Sequence, residues 1–243
     1  KATKKKVCLV GKAVTFDSGG LSLKPKKSMT TMKVDMGGAA AVLAVFSVID
    51  QIAPQTEVLG IFAPVENMPS GDAVRPGDVL RMLNKKTVEV LDTDAEGRLT
   101  LADLLVYAEK QKPDFIIELA TLTGACVVAL GEEITAVMSN NAVLANKILS
   151  AAAKSGEKMW EMPLEKNYKK LIKSEIADVK NIGNGWGGAL TAGLFLQEFV
   201  VETPWAHLDI SGPVYAERVI NSYTKKGATG HGVRTLIELL RNV

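Results

Sequence analysis

The chain is poor in cysteine and histidine. Its two cysteines, Cys8 and Cys126, stand far apart and show no CxxC spacing. They cannot build a disulfide framework, so a reducing compartment, the cytoplasm, is expected. Two histidines, His207 and His231, exclude an HExxH zinc helix and any three-histidine site. A metal site in this chain must be built mainly from carboxylates. No apolar run reaches the ~18 residues of a membrane span, and no signal peptide stands out, so no membrane partner is expected. An excess of charge of one sign is also lacking. Lys and Arg number 29 against 27 Asp and Glu, a net +2. That is too little to mark a nucleic-acid partner, and the one local basic run is Lys4, Lys5 and Lys6. Aromatic residues make up 5%, and Trp160, Trp186 and Trp205 are too scattered for a base-stacking platform.

What is present is an ordinary globular composition. Of 243 residues, 47% are hydrophobic and 23% charged, which excludes disorder and allows one sizeable core. Strand-like runs occur at Val7–Val10, Glu57–Ala63, Thr87–Leu91, Phe115–Ala120, Thr135–Met138 and Ala206–Ile210. Helical patterns occupy Met36–Gln51, Leu99–Lys110, Asn141–Lys154, Ala189–Val201 and Val233–Leu240. Several strands are continuous apolar runs, as strands covered on both faces should be. The alternation predicts an α/β fold, a three-layer α/β/α sandwich with a mixed, largely parallel central sheet. No repeat or linker divides the chain, so residues 1–243 read as a single domain. Long irregular stretches lie at Gly19–Met32, Pro64–Gly77 and Asp178–Gly188, and loops of this length in a compact domain are usually functional.

The chemistry-bearing residues cluster just past strand ends, where open α/β sheets bind ligands. Lys12 and Asp17 follow the first strand. Asp92, Asp94, Glu96 and Arg98 follow Thr87–Leu91. Thr121 and Thr123 follow Phe115–Ala120. Asp35 opens a helix, where the macrodipole favours a carboxylate. The run Asp92-Thr93-Asp94-Ala95-Glu96-Gly97-Arg98 has two plain readings. One is the acidic first turn of a helix. The other is a calcium loop, but an EF-hand needs a preceding helix where Thr87–Val90 reads as strand, and its twelfth position here is Asp103 rather than Glu. Gly11-Lys12 lacks the earlier glycine and the following Ser or Thr of a phosphate loop. Gly183–Gly188 matches GxGxxG formally, yet no strand precedes it, so it reads as a loop capping the next helix. Ser155-Gly156-Glu157-Lys158 matches SxxK without the partner motifs of a serine acyl enzyme. His207 reads as a core histidine and His231 as structural.

These residues together resemble a known family. Thr93-Asp94-Ala95-Glu96-Gly97-Arg98-Leu99 is similar to the signature of the leucyl aminopeptidases, metallopeptidases of the M17 type. Val10–Pro25, Met32–Ala40, Pro64–Gly71, Ala120–Ala125 and Trp205–Ile210 resemble further segments of that family in the same order. Two positions depart from it. Asp92 stands where Asn is usual, and Ala13 where Gly is usual. The family's separate N-terminal domain is not seen, so the chain looks like the catalytic domain alone.

The resemblance implies an aminopeptidase holding two divalent metal ions per chain, Zn or Mn, with Co or Mg as alternatives. Asp17 and Glu96 would bridge the ions, Asp94 would complete one site, and Lys12 and Asp35 the other. Lys12 would then bind as a neutral amine. A free lysine side chain titrates at about 10.4, so holding it neutral at pH 7 costs roughly 4.6 kcal/mol, which a bonded cation can supply. Lys24 would stabilise the oxyanion, and Arg98 would hold a bicarbonate acting as general base. Met32, Thr121, Leu122, Gly124 and Val214 would line the substrate pocket, with an apolar preference such as Leu. Substrates would be peptides with a free N-terminus, and the assembly a homo-hexamer, a dimer of trimers. A calcium module and an inactive assembly or DNA-binding homologue are the rival classes. The presence of all the matched site residues speaks against the second.

Overall fold

The computed structural model describes residues 5–52 and 54–243; Lys4 of the basic run lies outside them. Six strands form the central sheet, in the order Glu57–Phe62, Lys6–Gly11, Phe115–Ala120, Trp205–Asp209, Thr135–Ser139, Met159–Glu161. The first four run parallel, Thr135–Ser139 is antiparallel to Trp205–Asp209, and Met159–Glu161 is parallel to Thr135–Ser139. This is the expected mixed, largely parallel sheet.

Helices cover both faces. Gly37–Phe46, Ala142–Ser155 and Val233–Leu240 pack on one, through Val42, Ile148 and Leu236 against Leu9, Ile117 and Leu208. Gly97–Lys110 and Gly188–Gln197 pack on the other, through Leu101, Leu105 and Phe195 against Cys8, Val10 and Ile116. Leu101 and Leu105 are fully buried, each worth about 1.5–3 kcal/mol relative to exposure. The pattern FIIELA is buried at all six positions because its strand is central and covered twice. Local sequence marks the helix ends. Asn141 caps Ala142–Ser155 by accepting from the Leu144 N–H at 2.9 Å, and Gly156 ends it at φ 74°.

Some boundaries differ from the sequence reading. Met36–Gln51 is not one helix: it stops at Phe46, and a short turn of helix follows at Ile49–Ile52. Ala189–Val201 ends at Gln197. Asp35 lies not at an α-helix start but in a 3-10 turn, Met32–Met36, that leads into Gly37–Phe46. Thr87–Glu89 is a strand, which excludes an EF-hand, but it lies outside the central sheet. It is the middle of a three-stranded sheet with Val79–Arg81 and Val179–Lys180. A second small sheet pairs Val14–Asp17 with Val65–Asn67 in parallel. Of the tryptophans, Trp205 is core, while Trp160 and Trp186 are exposed.

The chain order places a topological switch point at the middle of the sheet. From Lys6–Gly11 the chain crosses to the outer strand Glu57–Phe62, whereas after Phe115–Ala120 it builds the opposite half. The connections leaving these two neighbouring strands part to opposite sides there, and ligand crevices form at such points. Lys12 and Thr121 sit on its two sides.

Candidate metal centre

Lys12 spans the switch point. Its Nζ donates to the Thr121 carbonyl at 2.9 Å and to Asp35 Oδ1 at 2.8 Å, and lies 3.1 Å from Glu96 Oε1. Its path needs Gly97, since a Cβ there would stand 2.6 Å from Nζ. Asp35 Oδ1 also accepts from the Thr121 hydroxyl at 2.7 Å. Asp17, at the end of its short strand, accepts from the Gly19 N–H at 2.8 Å and from Asn67 Nδ2 at 2.9 Å, both through Oδ1. Its other oxygen faces Lys24 Nζ at 2.7 Å, and that same Nζ is 2.5 Å from Asp94 Oδ1. Gly19 turns this loop at φ 87°, a conformation that glycine adopts without strain.

One oxygen each of Asp17, Asp94 and Glu96 lie within 4.8 Å of one another. The four carboxylates outnumber the two lysines among them. Asp35 Oδ2, Asp94 Oδ1 and both Glu96 oxygens are buried without a hydrogen bond. Two of these atoms, Asp94 Oδ1 and Glu96 Oε1, do sit at ion-pair distance from a lysine. These two contacts are ion pairs, so the oxygens left over are Asp35 Oδ2 and Glu96 Oε2. Buried carboxylate oxygens without partners are costly, and a cation removes that cost. A donor set of hard oxygens plus one amine nitrogen suits small divalent ions.

Burial alone pulls Lys12 down, but Glu96 and Asp35 outweigh it and hold the ammonium above its ordinary value. Burial pushes the Asp35 carboxyl up to about 7, against the pull of Lys12. Burial likewise raises Asp94, with Lys24 opposing. Burial lowers Lys24 too, yet its bonds to Asp17 and Asp94 leave it raised. Without a metal ion Lys12 and Lys24 are therefore both cations in the cluster, and Lys12 could serve as a nitrogen donor only by giving up its proton to a bound ion.

Arg98 opens the helix Gly97–Lys110 and is buried. Its Nη1 donates to the Asn181 carbonyl at 2.6 Å, and its Nε has no partner. Burial lowers its pKa to about 10, so it stays charged at neutral pH and its Nε–H is available to an anion.

The residues expected around a substrate divide. Thr121 touches the cluster directly. Leu122 follows it and donates its N–H to Asp209 Oδ1 at 3.3 Å, and Gly124 is exposed at the start of helix Gly124–Leu130. Val214 is buried and lines an apolar cavity of about 540 Å³ together with Met36 and Gly37. Met32 lies in the neighbouring 3-10 turn but does not line that cavity. Asp92 Oδ1 accepts from the Asp94 N–H at 2.9 Å, shaping the ligand turn. Two asparagines given no role in the sequence reading also belong here. Asn67 and Asn181 bond the loops that carry the carboxylates. No periodicity or motif spacing marks asparagines whose partners are the Asp17 carboxylate and main-chain atoms of distant loops.

Fold and site together define an α/β domain with a buried carboxylate–lysine cluster at the switch point of its sheet. The chain belongs to the cytosol aminopeptidase family, whose catalytic-domain model matches residues 1–237. A probable cytosol aminopeptidase of Gloeobacter violaceus is 54% identical over 239 residues, covering 98% of this chain and 47% of that protein. One of Thermosynechococcus vestitus is 56% identical over 237 residues, covering 97% and 48%. The chain thus spans about half the length of the curated relatives it matches. Among solved structures, the bottromycin maturation enzyme BotP in complex with Mn superposes with a TM-score of 0.94 at 44% identity, covering 99% of this chain and 54% of that one. A mutant of tomato leucine aminopeptidase gives 0.91 at 48% identity, covering 100% and 45%. Among the described residues no helix is long and apolar enough to cross a membrane.

Proposed function

We propose that this chain is the catalytic domain, residues 1–243, of a two-metal aminopeptidase that removes N-terminal residues from peptides, preferring apolar ones such as Leu. The observation that carries this reading is the buried cluster of Asp17, Asp35, Asp94 and Glu96, four carboxylates on two lysines, with Asp35 Oδ2 and Glu96 Oε2 left without a hydrogen bond. In a family of aminopeptidases, with a similar structure holding Mn, that donor set fits two divalent ions. Asp17, Asp35, Asp94, Glu96 and, as a neutral amine, Lys12 would hold them. Zn or Mn suits these donors, with Co or Mg as alternatives.

Bound there, the ions would supply Lewis-acid polarisation, and bicarbonate at Arg98 a proton acceptor. The chain's own groups do the rest. Lys24 stands at the cluster as an ammonium and presents positive charge where a carbonyl oxygen becomes an oxyanion. Arg98 cannot act as a base itself at neutral pH. Its free Nε and its charge would hold the anion in a site from which water is largely excluded. Thr121 holds Asp35 and Lys12 in place through its hydroxyl and carbonyl. Met32, Thr121, Leu122, Gly124 and Val214 are assigned to the pocket for the substrate's first residue. The name borne by the relatives is in keeping with a cytoplasmic protein. We assign it a homo-hexameric state, a dimer of trimers.

The test is hydrolysis of aminoacyl chromogenic substrates after chelation and metal add-back. Activity that is lost on chelation and restored by Mn²⁺, Zn²⁺ or Co²⁺ supports the reading. Full activity in metal-free protein overturns it.

A further inference from the structure

We propose that Asn67 and Asn181 are positioning residues: two amide side chains from distant segments that clamp the turn carrying Asp94 and Glu96 and set its spacing from Asp17. The proposal rests on the metal reading above. Its starting point is what holds the carboxylates. Neither Glu96 oxygen makes a hydrogen bond, and Asp94 Oδ1 makes none. Apart from the ion pairs to Lys12 and Lys24, their placement comes from the backbone beneath them, and that backbone is bonded to these two asparagines.

Asn67 ends the strand Val65–Asn67. Its Nδ2 spends both protons in the site, on Asp17 Oδ1 at 2.9 Å and on the Thr93 carbonyl at 2.9 Å. Its own carbonyl accepts from the Ser18 N–H at 2.9 Å and the Ser18 hydroxyl at 2.7 Å. One amide nitrogen thus bridges the Asp17 loop to the residue preceding Asp94. Aspartate at this position has no proton to give when ionised, and serine has only one.

Asn181 is fully buried on the other side of the turn. Its Oδ1 accepts from the Leu91 N–H at 2.9 Å and the Asp92 N–H at 3.4 Å. Its Nδ2 donates to the Asp92 carbonyl at 2.6 Å and the Ala95 carbonyl at 3.4 Å. Its main-chain N–H donates to Glu89 at 2.9 Å, and its carbonyl accepts from Arg98 Nη1 at 2.6 Å. Every hydrogen-bonding group of Asn181 is spent between Glu89 and Arg98. Groups that bond to the structure around a metal ligand commonly set metal affinity 10–100-fold.

The experiment titrates metal-free protein with Co²⁺ alone, following its visible absorption and competition with a chromophoric chelator. Wild type, Asn67→Ala and Asn181→Ala are compared, with thermal melting of each in the absence of metal. Both variants are expected to bind Co²⁺ roughly 10–100-fold more weakly than wild type and to show a changed visible spectrum. A purely structural role would lower the melting temperature and leave affinity and spectrum unchanged, and that result overturns the clamp. If wild type itself binds no Co²⁺, the metal reading falls and the clamp with it. Equal binding by wild type and variants sinks the clamp alone. Where Asn181→Ala does not fold, Asn181→Ser and the half-buried Asn67→Ala carry the comparison.

Discussion

Gly97 lies against Lys12 so closely that the lysine's Cε and Nζ occupy the space a side chain would take. The glycine opens the helix that follows Glu96, and the lysine crosses it to reach Asp35 and Thr121. A methyl group at residue 97 would push the amine out of the cluster.

Gly97→Ala is therefore expected to displace Lys12 and to cost about 1–3 kcal/mol, the scale of overpacking. Urea denaturation measures the loss, and metal analysis should show fewer bound ions. A variant with wild-type stability and full metal content would show that Lys12 has another route.

Metal analysis of active protein should find close to two divalent ions per chain. One ion, or none, would contradict the assignment of five ligands to two sites.

Lys24→Ala is expected to lower kcat by roughly 10²–10³, the scale of one lost oxyanion donor. Metal content should not fall, because Lys24 faces Asp17 and Asp94 as a cation and not as a ligand. Loss of metal in this variant would move Lys24 into the ligand set.

His207 Nδ1 lies 2.6 Å from Glu118 Oε2, with both side chains fully buried on neighbouring strands. Burial pulls His207 down, yet the charge of Glu118 leaves it raised; burial raises Glu118. Both shifts are upward, so the native chain holds more protons here than the unfolded chain. Stability contributed by His207 is full below its unfolded pKa of about 6.5 and is lost as pH rises through the folded value. The raised Glu118 acts in the same direction. Glu118→Gln and His207→Gln should flatten the fall in unfolding free energy as pH rises above about 6.5. Denaturant titrations across that range, with both variants as steep as wild type, would exclude the pair as the source.

Analytical ultracentrifugation at micromolar concentration tests the assembly. A hexamer is expected, with a trimer as the smaller unit. A clean monomer of 26.0 kDa would show that this chain does not carry the assembly contacts.

Much of the fold was legible in the residues themselves. Phe115–Ala120 and Val233–Leu240 are found where their patterns put them, because a twice-covered strand and an amphipathic helix each write their burial into a short stretch. Met159–Glu161 was missed, since a three-residue edge strand with Trp160 and Glu161 exposed has too few buried positions to make a pattern. The chemistry of the site was also legible. With so few histidines and cysteines a metal site would be built mainly from carboxylates, and it was the resemblance carried by the order of motifs that pointed to Asp17, Asp35, Asp94 and Glu96. Tertiary structure alone decided the rest. It placed Thr87–Glu89 outside the central sheet, set Thr121 on Asp35 and Lys12, and drew Asn67 and Asn181 to the ligand turn. Most of these contacts join a side chain to a main-chain group tens of positions away. A sequence pattern records which side chains seek burial or charge, but a backbone N–H or carbonyl is the same at nearly every residue, and only the folded chain chooses its partner.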